Sequence, residues 1–305
     1  MKLATTCIKW AAIVLASAPM TLGCSKKSAP SGGEDQASPK GKQTIQNIGS
    51  DTMVNVAQAW AEEYAKIEKD VSVEVSGGGS GVGIAALING TAQIANASRN
   101  IEPEEIEKVK KQIGKEPKEF TVGFDGLAVY VHKDNPLEQL SLEELGEIYR
   151  EGGATNKWSA LGVKIPGAEK DEIVRVSRQN NSGTYQYFRE AVVGKKKDFK
   201  AGSLDMNGSK DVVELVAKTP GAIGYSGLGY ATPAVKILKV SKAKGGAPIL
   251  PSIPTVHDKS YPLARPLFMY TPGEPTPAAG KYLAWVMSPA GQEILKKSGY
   301  IPLLH

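Results

Sequence analysis

The chain has 305 residues, which is enough for one large domain or two medium-sized domains with a real hydrophobic core. Its formal net charge of +5 arises mainly from the first 43 residues, which hold six lysines and two acidic residues and leave 31 basic and 30 acidic side chains elsewhere. A nearly neutral body with singly scattered aromatic residues offers no basic stripe for a phosphate backbone, so nucleic acid is excluded as a partner.

Residues 1–23 are typical of a secretory signal peptide. Lys2 and Lys9 precede an apolar run over 10–18 that is too short to span a membrane. Residues 20–24, Met-Thr-Leu-Gly-Cys, resemble a bacterial lipobox and predict lipidation at Cys24, although the leucine of that motif usually lies one position earlier. The alternative is a plain cleavage site with an unused cysteine.

A flexible tether over 24–43 follows the leader. It is rich in Ser, Gly, Pro and Lys, and we expect it to hold the folded part about 25 Å from a membrane. The only other cysteine, Cys7, lies in the leader, so the mature chain can form no internal disulfide. Its stability must come from packing.

Three predicted strands in the first third of the chain each run into a polar turn that precedes a helix. The first strand, turn and helix span 44–48, 49–52 and 53–67, the second set spans 71–75, 76–83 and 84–89, and the third spans 92–95, 96–99 and 103–113. The first N–H groups of a helix have no intrahelical partner, so such turns are suited to bind anions.

The turn over 76–83, Ser-Gly-Gly-Gly-Ser-Gly-Val-Gly, indicates that the backbone approaches another group closely. It lacks the Gly-Lys-Ser/Thr ending of a nucleotide phosphate loop and the Gly-x-Gly-x-x-Gly spacing of a dinucleotide fingerprint. Further on, a predicted strand over 120–131 carries Asp125 and Gly126 in its middle. This break in an apolar pattern indicates a functional or strained position, with a bulge and a surface aspartate as the alternative.

The most polar of these turns is Arg-Gln-Asn-Asn-Ser-Gly-Thr at 178–184, between a predicted strand over 173–177 and a predicted helix over 185–193. Arg178 supplies a two-pronged cation, and Ser182 and Thr184 add hydroxyl donors. Gly183 lets the backbone come close to a ligand. An ordinary capped turn with a surface arginine is the alternative.

The rest of the chain continues the alternation of helices and strands. Further helices are predicted at 142–149, 210–218, 277–287 and 289–297, and further strands at 222–225 and 261–270. Pro262 and Pro266 should confine the last strand to an edge or a crossover. The pattern predicts an α/β fold with mostly parallel sheets, and the length suggests two lobes. Turns at the carboxyl ends of the strands would then gather around one small tetrahedral oxyanion.

Together, these motifs resemble those of the phosphate-binding lipoproteins of bacterial ABC phosphate importers, the PstS family. They occur in the family's order over 44–305, as Gly49-Ser50-Asp51-Thr52, Gly77 to Ser80, Ser98-Arg99 and Arg178-x-x-x-Ser182-Gly183-Thr184. The resemblance implies a type II periplasmic binding protein with two lobes, each a mainly parallel sheet flanked by helices. We place lobe 1 at 44–126 and 257–305, and lobe 2 at 127–256.

The resemblance also implies the function. The protein would be a monomer in the periplasm or on the outer face of the cell membrane, anchored through palmitate and other lipid at Cys24. It would bind inorganic phosphate between its lobes and deliver it to the permease subunits of an ABC importer, with no cofactor, metal or catalysis. The predicted phosphate-binding residues are Ser50, Asp51, Thr52, Ser80, Ser98, Arg99, Asp125, Arg178, Ser182, Gly183 and Thr184.

Two positions depart from the family pattern. Many members have an aspartate in place of Arg99, where it accepts the phosphate proton, and another in place of Asn180. The acceptor must then lie elsewhere, and we predict Asp125 for this role. The alternative is that Asp125 only holds Arg99 or Arg178 in place. The residue that balances the charge of Arg178 is left open.

Two other functions fit part of the pattern. A secreted phosphatase would need a nucleophile with its base or a set of metal ligands, but His132, His257 and His305 have no His-x-x-x-His spacing and no cysteine lies near the turns. A binding protein for sulfate, molybdate or tungstate would keep the fold but need only donors, because these dianions carry no proton at neutral pH.

Overall fold

The computed structural model describes residues 42–303. The predicted signal peptide, the lipidation site at Cys24 and nearly all of the tether lie outside the described residues. No helix within 42–303 has the length and apolar character needed to cross a bilayer.

The strands are β1 Gln43–Gly49, β2 Val71–Ser76, β3 Ile94–Ala97, β4 Lys118–His132, β5 Gln139–Ser141, β6 Val174–Arg178, β7 Leu204–Met206, β8 Ala222–Gly227, β9 Val235–Ser241 and β10 Ala264–Thr271. The α-helices are α1 Val54–Ile67, α2 Ser80–Ile88, α3 Pro103–Ile113, α4 Leu142–Tyr149, α5 Gly183–Phe188, α6 Ser209–Lys218, α7 Ile253–His257, α8 Pro277–Val286 and α9 Pro289–Lys297. Short 3-10 segments lie at Trp158–Leu161 and Leu228–Tyr230, and a π-helical turn at Arg189–Val193 extends α5.

Local sequence signals account for the helix ends. Ser141 caps α4, since its Oγ accepts from the N–H of Glu144 at 3.1 Å while the Glu144 carboxylate accepts from the N–H of Ser141 at 2.9 Å. Helix α3 begins with Pro103 and is followed by Gly114, whose φ of 76° is in the left-handed region that terminates helices. The strands β5, β7 and β9 were not predicted, because they are short or lie in segments without clear alternation.

The two crossing strands divide the fold into lobes. The strands follow the order β2-β1-β3-β10-β4-β8-β6-β7, with β9 also paired to β4 and to β5. Strand β4 pairs with β10 up to Gly126 and with β8 from Leu127 onward. Lobe 1 therefore holds β1, β2, β3, β10 and the first part of β4, and lobe 2 holds the remaining strands. We keep the predicted lobe boundaries as a proposal, which this change of partner supports at Gly126.

The sheet is mixed, with parallel pairs inside each lobe and antiparallel pairs along the two crossing strands. The pairs among β1, β2 and β3 and among β6, β7 and β8 are parallel, whereas β10 and β4 run antiparallel to their neighbours. Strand β10 lies between β3 and β4, and Pro266 is tolerated there because β3 pairs only with residues 268–270. Only the β4 side of β10 has a partner at the proline.

Each lobe has an aromatic core. In lobe 2 the rings of Phe188 and Tyr225 stack with centroids 3.8 Å apart, and Tyr149 packs edge-on to Phe188 at 5.0 Å. In lobe 1, Tyr64 and Tyr282 pack edge-on at 5.0 Å next to Trp60. These cores hold β1, β2, β3 and β6 in place, and the carboxyl ends of these four strands face the cleft between the lobes.

Candidate anion-binding site

The turns after β1, β2, β3 and β6 bring hydroxyl groups from both lobes into one cluster. Ser50 Oγ donates to Ser98 Oγ at 2.9 Å, and Ser98 Oγ lies 3.4 Å from Ser80 Oγ. Thr52 Oγ1 of lobe 1 and Thr184 Oγ1 of lobe 2 are 2.7 Å apart. All five side chains are at most 1% exposed. The cleft thus holds a hydroxyl cluster, Ser50, Thr52, Ser80, Ser98 and Thr184, shielded from water.

The turn before α5 completes this cluster. A side chain at Gly183 would clash with Ser80 Oγ and Ser98 Oγ, so only glycine fits there. Ser182 Oγ accepts from the N–H groups of Thr184 and Tyr185 at 3.2 and 3.4 Å, which leaves its own O–H free to donate.

Arg178 is completely buried beside the hydroxyl cluster and pairs with Asp51 of the other lobe. Its Nη2 donates to Asp51 Oδ2 at 3.0 Å and to the carbonyl of Asn207 at 2.8 Å, and its Nη1 donates to Ser209 Oγ at 3.0 Å. Burial lowers the pKa of Arg178, and the charge of Asp51 partly offsets this effect. Asp51 is therefore the residue that balances Arg178, which the sequence left open.

Arg265 of β10 is a second buried arginine in the cleft, and sequence reasoning missed it. Its Nε and Nη2 donate to Asp125 Oδ2 at 3.0 and 2.7 Å. Its Nη2 also lies 3.1 Å from Thr184 Oγ1 and 3.3 Å from Thr52 Oγ1. The signal that could have found it is the one used for Asp125, a charged residue inside an otherwise apolar strand.

Asp125 is fully buried, and both of its carboxylate oxygens have donors. Oδ2 receives the two N–H groups of Arg265, and Oδ1 accepts from the N–H of Leu228 at 3.0 Å. This geometry favours the alternative in which Asp125 holds an arginine, and that arginine is Arg265 rather than Arg99 or Arg178. The role of Asp125 as proton acceptor stays a prediction.

The guanidinium of Arg99 does not join the hydroxyl cluster. It donates to both carboxylate oxygens of Glu105, at 2.7 and 2.8 Å, and to the carbonyl of Asn100 at 2.8 Å. Burial alone would lower the pKa of Arg99, but the hydrogen bond and charge of Glu105 outweigh it and raise the pKa. Because Glu105 on the following helix engages the guanidinium, the geometry does not favour a contact between this group and an anion, and the role of Arg99 stays a prediction.

The glycine-rich turn contacts the opposite lobe. The N–H of Gly81 donates to the carbonyl of Asn181 at 3.0 Å, and Asn181 Nδ2 donates to the carbonyl of Gly78 at 3.0 Å. A Cβ on Gly79, whose φ is 97°, would lie 2.7 Å from the Asn181 carbonyl oxygen. The close approach that Gly79 and Gly81 permit is therefore an approach of lobe 2.

No group of three or more His, Cys, Asp or Glu side chains within 42–303 is placed to hold a metal ion. The site instead offers hydroxyl donors and two arginine–aspartate pairs, Arg178–Asp51 and Arg265–Asp125. Two lobes joined by crossing strands, with such a polar cluster between them, define a substrate-binding protein of the periplasmic type. A family model described as a PBP superfamily domain matches residues 34–290.

Known proteins narrow this class further. The chain is 34% identical over 269 residues to the phosphate-binding protein PstS of Pseudomonas aeruginosa, covering 85% of this chain and 83% of that protein. It is 35% identical over 244 residues to the phosphate-binding protein PstS of Staphylococcus saprophyticus, covering 79% and 73% of the two chains. A phosphate ABC transporter substrate-binding protein of Clostridium perfringens, solved with bound phosphate, superposes with a TM-score of 0.75 at 30% identity over 86% of this chain and 100% of that one.

The chain therefore belongs to the PstS family. Members of this family are extracytoplasmic substrate-binding proteins of transport systems and not enzymes, which removes the phosphatase alternative. The two-lobed fold implied by the sequence motifs is confirmed by the same comparisons.

Proposed function

We propose that this protein binds inorganic phosphate between its two lobes and delivers it to an ABC importer. The observation that carries the proposal is the hydroxyl cluster beside Arg178, to which both lobes contribute donors. The proposed contact residues are Ser50, Asp51, Thr52, Ser80, Ser98, Arg178, Ser182, Gly183 and Thr184. Because each arginine has an aspartate partner, the site has no net charge and holds the anion mainly through hydrogen bonds.

A proton acceptor within this site would separate phosphate from sulfate. Asp51 has one donor on each oxygen, Gly78 N–H at 2.8 Å and Arg178 Nη2 at 3.0 Å, so each oxygen retains a lone pair. Asp125 has three donors on its two oxygens. Because Asp51 has two donors and Asp125 has three, we propose Asp51 as the acceptor of the phosphate proton. Sulfate offers no proton, so a carboxylate facing it is repelled.

Calorimetric titration of the mature chain at pH 7, first with phosphate and then with sulfate, tests this function. We expect phosphate to bind and sulfate to bind far more weakly. The absence of any binding heat and of any phosphate-dependent rise in melting temperature would overturn the proposal. Equal affinity for the two anions would support the second candidate, a general oxyanion-binding protein.

The anchor is a separate part of the proposal and rests on the residues at 20–24. Lipidation at Cys24 would hold the protein on the outer face of a membrane, close to its permease. In a bacterial host fed labelled palmitate, the parent chain and a Cys7→Ser control should incorporate label and sediment with membranes. The Cys24→Ser variant should do neither, and unchanged labelling of that variant would exclude this anchor.

A further inference from the structure

Arg265 and Asp125 form a buried pair where the two lobes join. They are opposite each other in the register of β10 and β4, one residue before β4 exchanges β10 for β8. Arg265 is 1% exposed and Asp125 is not exposed. The pair contacts lobe 1 through the Ser98 carbonyl, 3.1 Å from Arg265 Nη1, and lobe 2 through the N–H of Leu228. The Arg265–Asp125 pair therefore contacts residues on both sides of the cleft.

The guanidinium is held from several directions. Asp125 accepts from Nε and Nη2, and the Tyr187 ring lies with its centroid 5.5 Å from the guanidinium carbon. The Tyr187 hydroxyl in turn donates to the carbonyl of Ala264 at 2.7 Å, which fixes the ring against β10. These contacts leave Nη2 directed at the two threonines.

We infer that Arg265 is a positioning residue that makes the Thr52 and Thr184 hydroxyls donors for the bound anion. This inference rests on the proposed function. An arginine can only donate, and a hydroxyl has one O–H and two lone pairs. Nη2 uses one N–H for Asp125 and shares the other between the two threonine oxygens, which occupies a lone pair on each. The two oxygens lie 2.7 Å apart, so one hydroxyl donates to the other, and both O–H groups can turn to an anion that enters between them. Its positive charge also strengthens both hydroxyls as donors. A ligand accepting from both would bridge the lobes.

The alternative is a purely structural pair that stabilises the crossover. A double-mutant cycle separates the two, because a residue that acts through Thr184 must lose part of its effect when that hydroxyl is absent. The test substitution is Arg265→Lys, which keeps a positive charge beside Asp125 but has one nitrogen in place of three, so it cannot contact Asp125, the Ser98 carbonyl and the threonines together. It is made in the parent, in Thr184→Val and in Ser80→Ala. Ser80 belongs to the same hydroxyl cluster but has no contact with Arg265, so it is the matched background.

We expect Arg265→Lys to weaken phosphate binding about tenfold in the parent and in Ser80→Ala, but less than about threefold in Thr184→Val. In a Thr184→Ser background, Arg265→Lys should again weaken binding about tenfold, because serine keeps the hydroxyl. Affinities are measured by calorimetry, and by phosphorus NMR where they fall to millimolar. The inference would be overturned if Arg265→Lys weakened phosphate binding by the same factor in all backgrounds, or if it had no effect on binding in the parent.

Two controls keep this outcome clear. If Arg265→Lys does not melt cooperatively, the cycle is run with Asp125→Asn/Arg265→Gln, which removes both buried charges together. If the parent itself binds no phosphate, the proposed function fails. If the parent binds phosphate and the Arg265 effect is independent of Thr184, only the present inference fails.

Discussion

Two turns of this protein, each at the end of a strand, contain both a serine and an arginine. In lobe 1 the turn is 96–99, and in lobe 2 it is 178–184. In lobe 2, the carboxylate that pairs with Arg178 comes from Asp51 across the cleft. In lobe 1, Arg99 pairs with Glu105, six residues later in the same lobe. An arginine whose partner lies across the cleft links the lobes, whereas an arginine paired within its own lobe stabilises that lobe.

The strongest test of this difference is Arg178→Ala. We expect phosphate affinity to fall by about 2 to 5 kcal/mol, because the change removes a buried charge-assisted donor and leaves Asp51 without its partner. Calorimetry measures the loss, and thermal melting checks the fold. Arg175→Ala is the matched control, since Arg175 lies on the same strand but contacts Asn156, 3.5 Å away. A normally melting Arg178→Ala protein that binds phosphate within a few-fold of the parent would move the site elsewhere.

The next test compares the two aspartates that pair with the cleft arginines. We expect Asp51→Asn to weaken phosphate by about 1.5 to 3 kcal/mol and to strengthen sulfate, because the amide can turn an N–H toward the anion. We expect Asp125→Asn to weaken both anions together and to lower the melting temperature, since Arg265 loses its buried carboxylate.

Parallel titrations of both variants with the two anions decide between the roles. If Asp125→Asn shifts the preference toward sulfate and Asp51→Asn leaves it unchanged, Asp125 is the proton acceptor, as the sequence analysis predicted. The difference between Arg178, which pairs across the cleft, and Arg99, which pairs within its lobe, would then remain. It would not identify which aspartate accepts the phosphate proton.

A smaller effect is expected from the contact between the glycine-rich turn and lobe 2. In Gly79→Ala the added Cβ meets the Asn181 carbonyl oxygen, so closure is opposed and phosphate affinity should fall by about 1 to 3 kcal/mol. Gly78→Ala is the control, because its φ of 107° is equally unfavourable for alanine but its nearest neighbour is Val82 of the same lobe, at 3.4 Å.

Small-angle scattering then reports on the lobes themselves. Phosphate should reduce the radius of gyration of the parent and of Gly78→Ala more than that of Gly79→Ala. Identical affinities for the two alanine variants would show that this contact does not contribute to binding.

The contrast between the turns also shows what the sequence could predict. The turns that carry Ser50, Thr52, Ser80, Ser182 and Thr184 could be predicted, because strand, turn and helix follow one another along the chain and local patterns place them. The partner of Arg99 was within reach as well, because Glu105 occupies the capping-box position of α3. Arg265 carried the same signal as Asp125, a charge inside an apolar strand, but its pairing with Asp125 could not be predicted. The cross-cleft contact of Asn181 could not be predicted either, because both contacts depend on which distant strands and turns the fold brings together. The antiparallel pairing of β4 and β10 was not predicted for the same reason, since alternation along the chain does not reveal the direction in which two crossing strands pair.

The smallest effect on binding is expected at the Arg99–Glu105 pair, and its effect should appear in stability instead. Burial would raise the pKa of Glu105, but the hydrogen bonds from Arg99 and from the N–H of Glu102 lower it below the ordinary value. A carboxylate with a lowered pKa in the folded state contributes stability above its unfolded pKa of about 4.3, and this contribution is lost as the pH falls through the folded value. Glu105→Gln should therefore be less stable than the parent by about 1 to 3 kcal/mol at pH 7, since it leaves Arg99 without its buried partner.

Urea unfolding of the parent and of Glu105→Gln from pH 7 to pH 3 measures that difference, which should shrink below about pH 4 as the parent carboxylate is protonated. Arg99→Gln should bind phosphate within twofold of the parent at pH 7, because its guanidinium contacts Glu105 and Asn100 and not the hydroxyl cluster. If Arg99→Gln lost as much phosphate affinity as Arg178→Ala, both arginines would contribute to phosphate binding and Arg99 would belong to the site. A stability difference that stays constant down to pH 3 would instead show that the ionised pair is not what stabilises the first turn of α3.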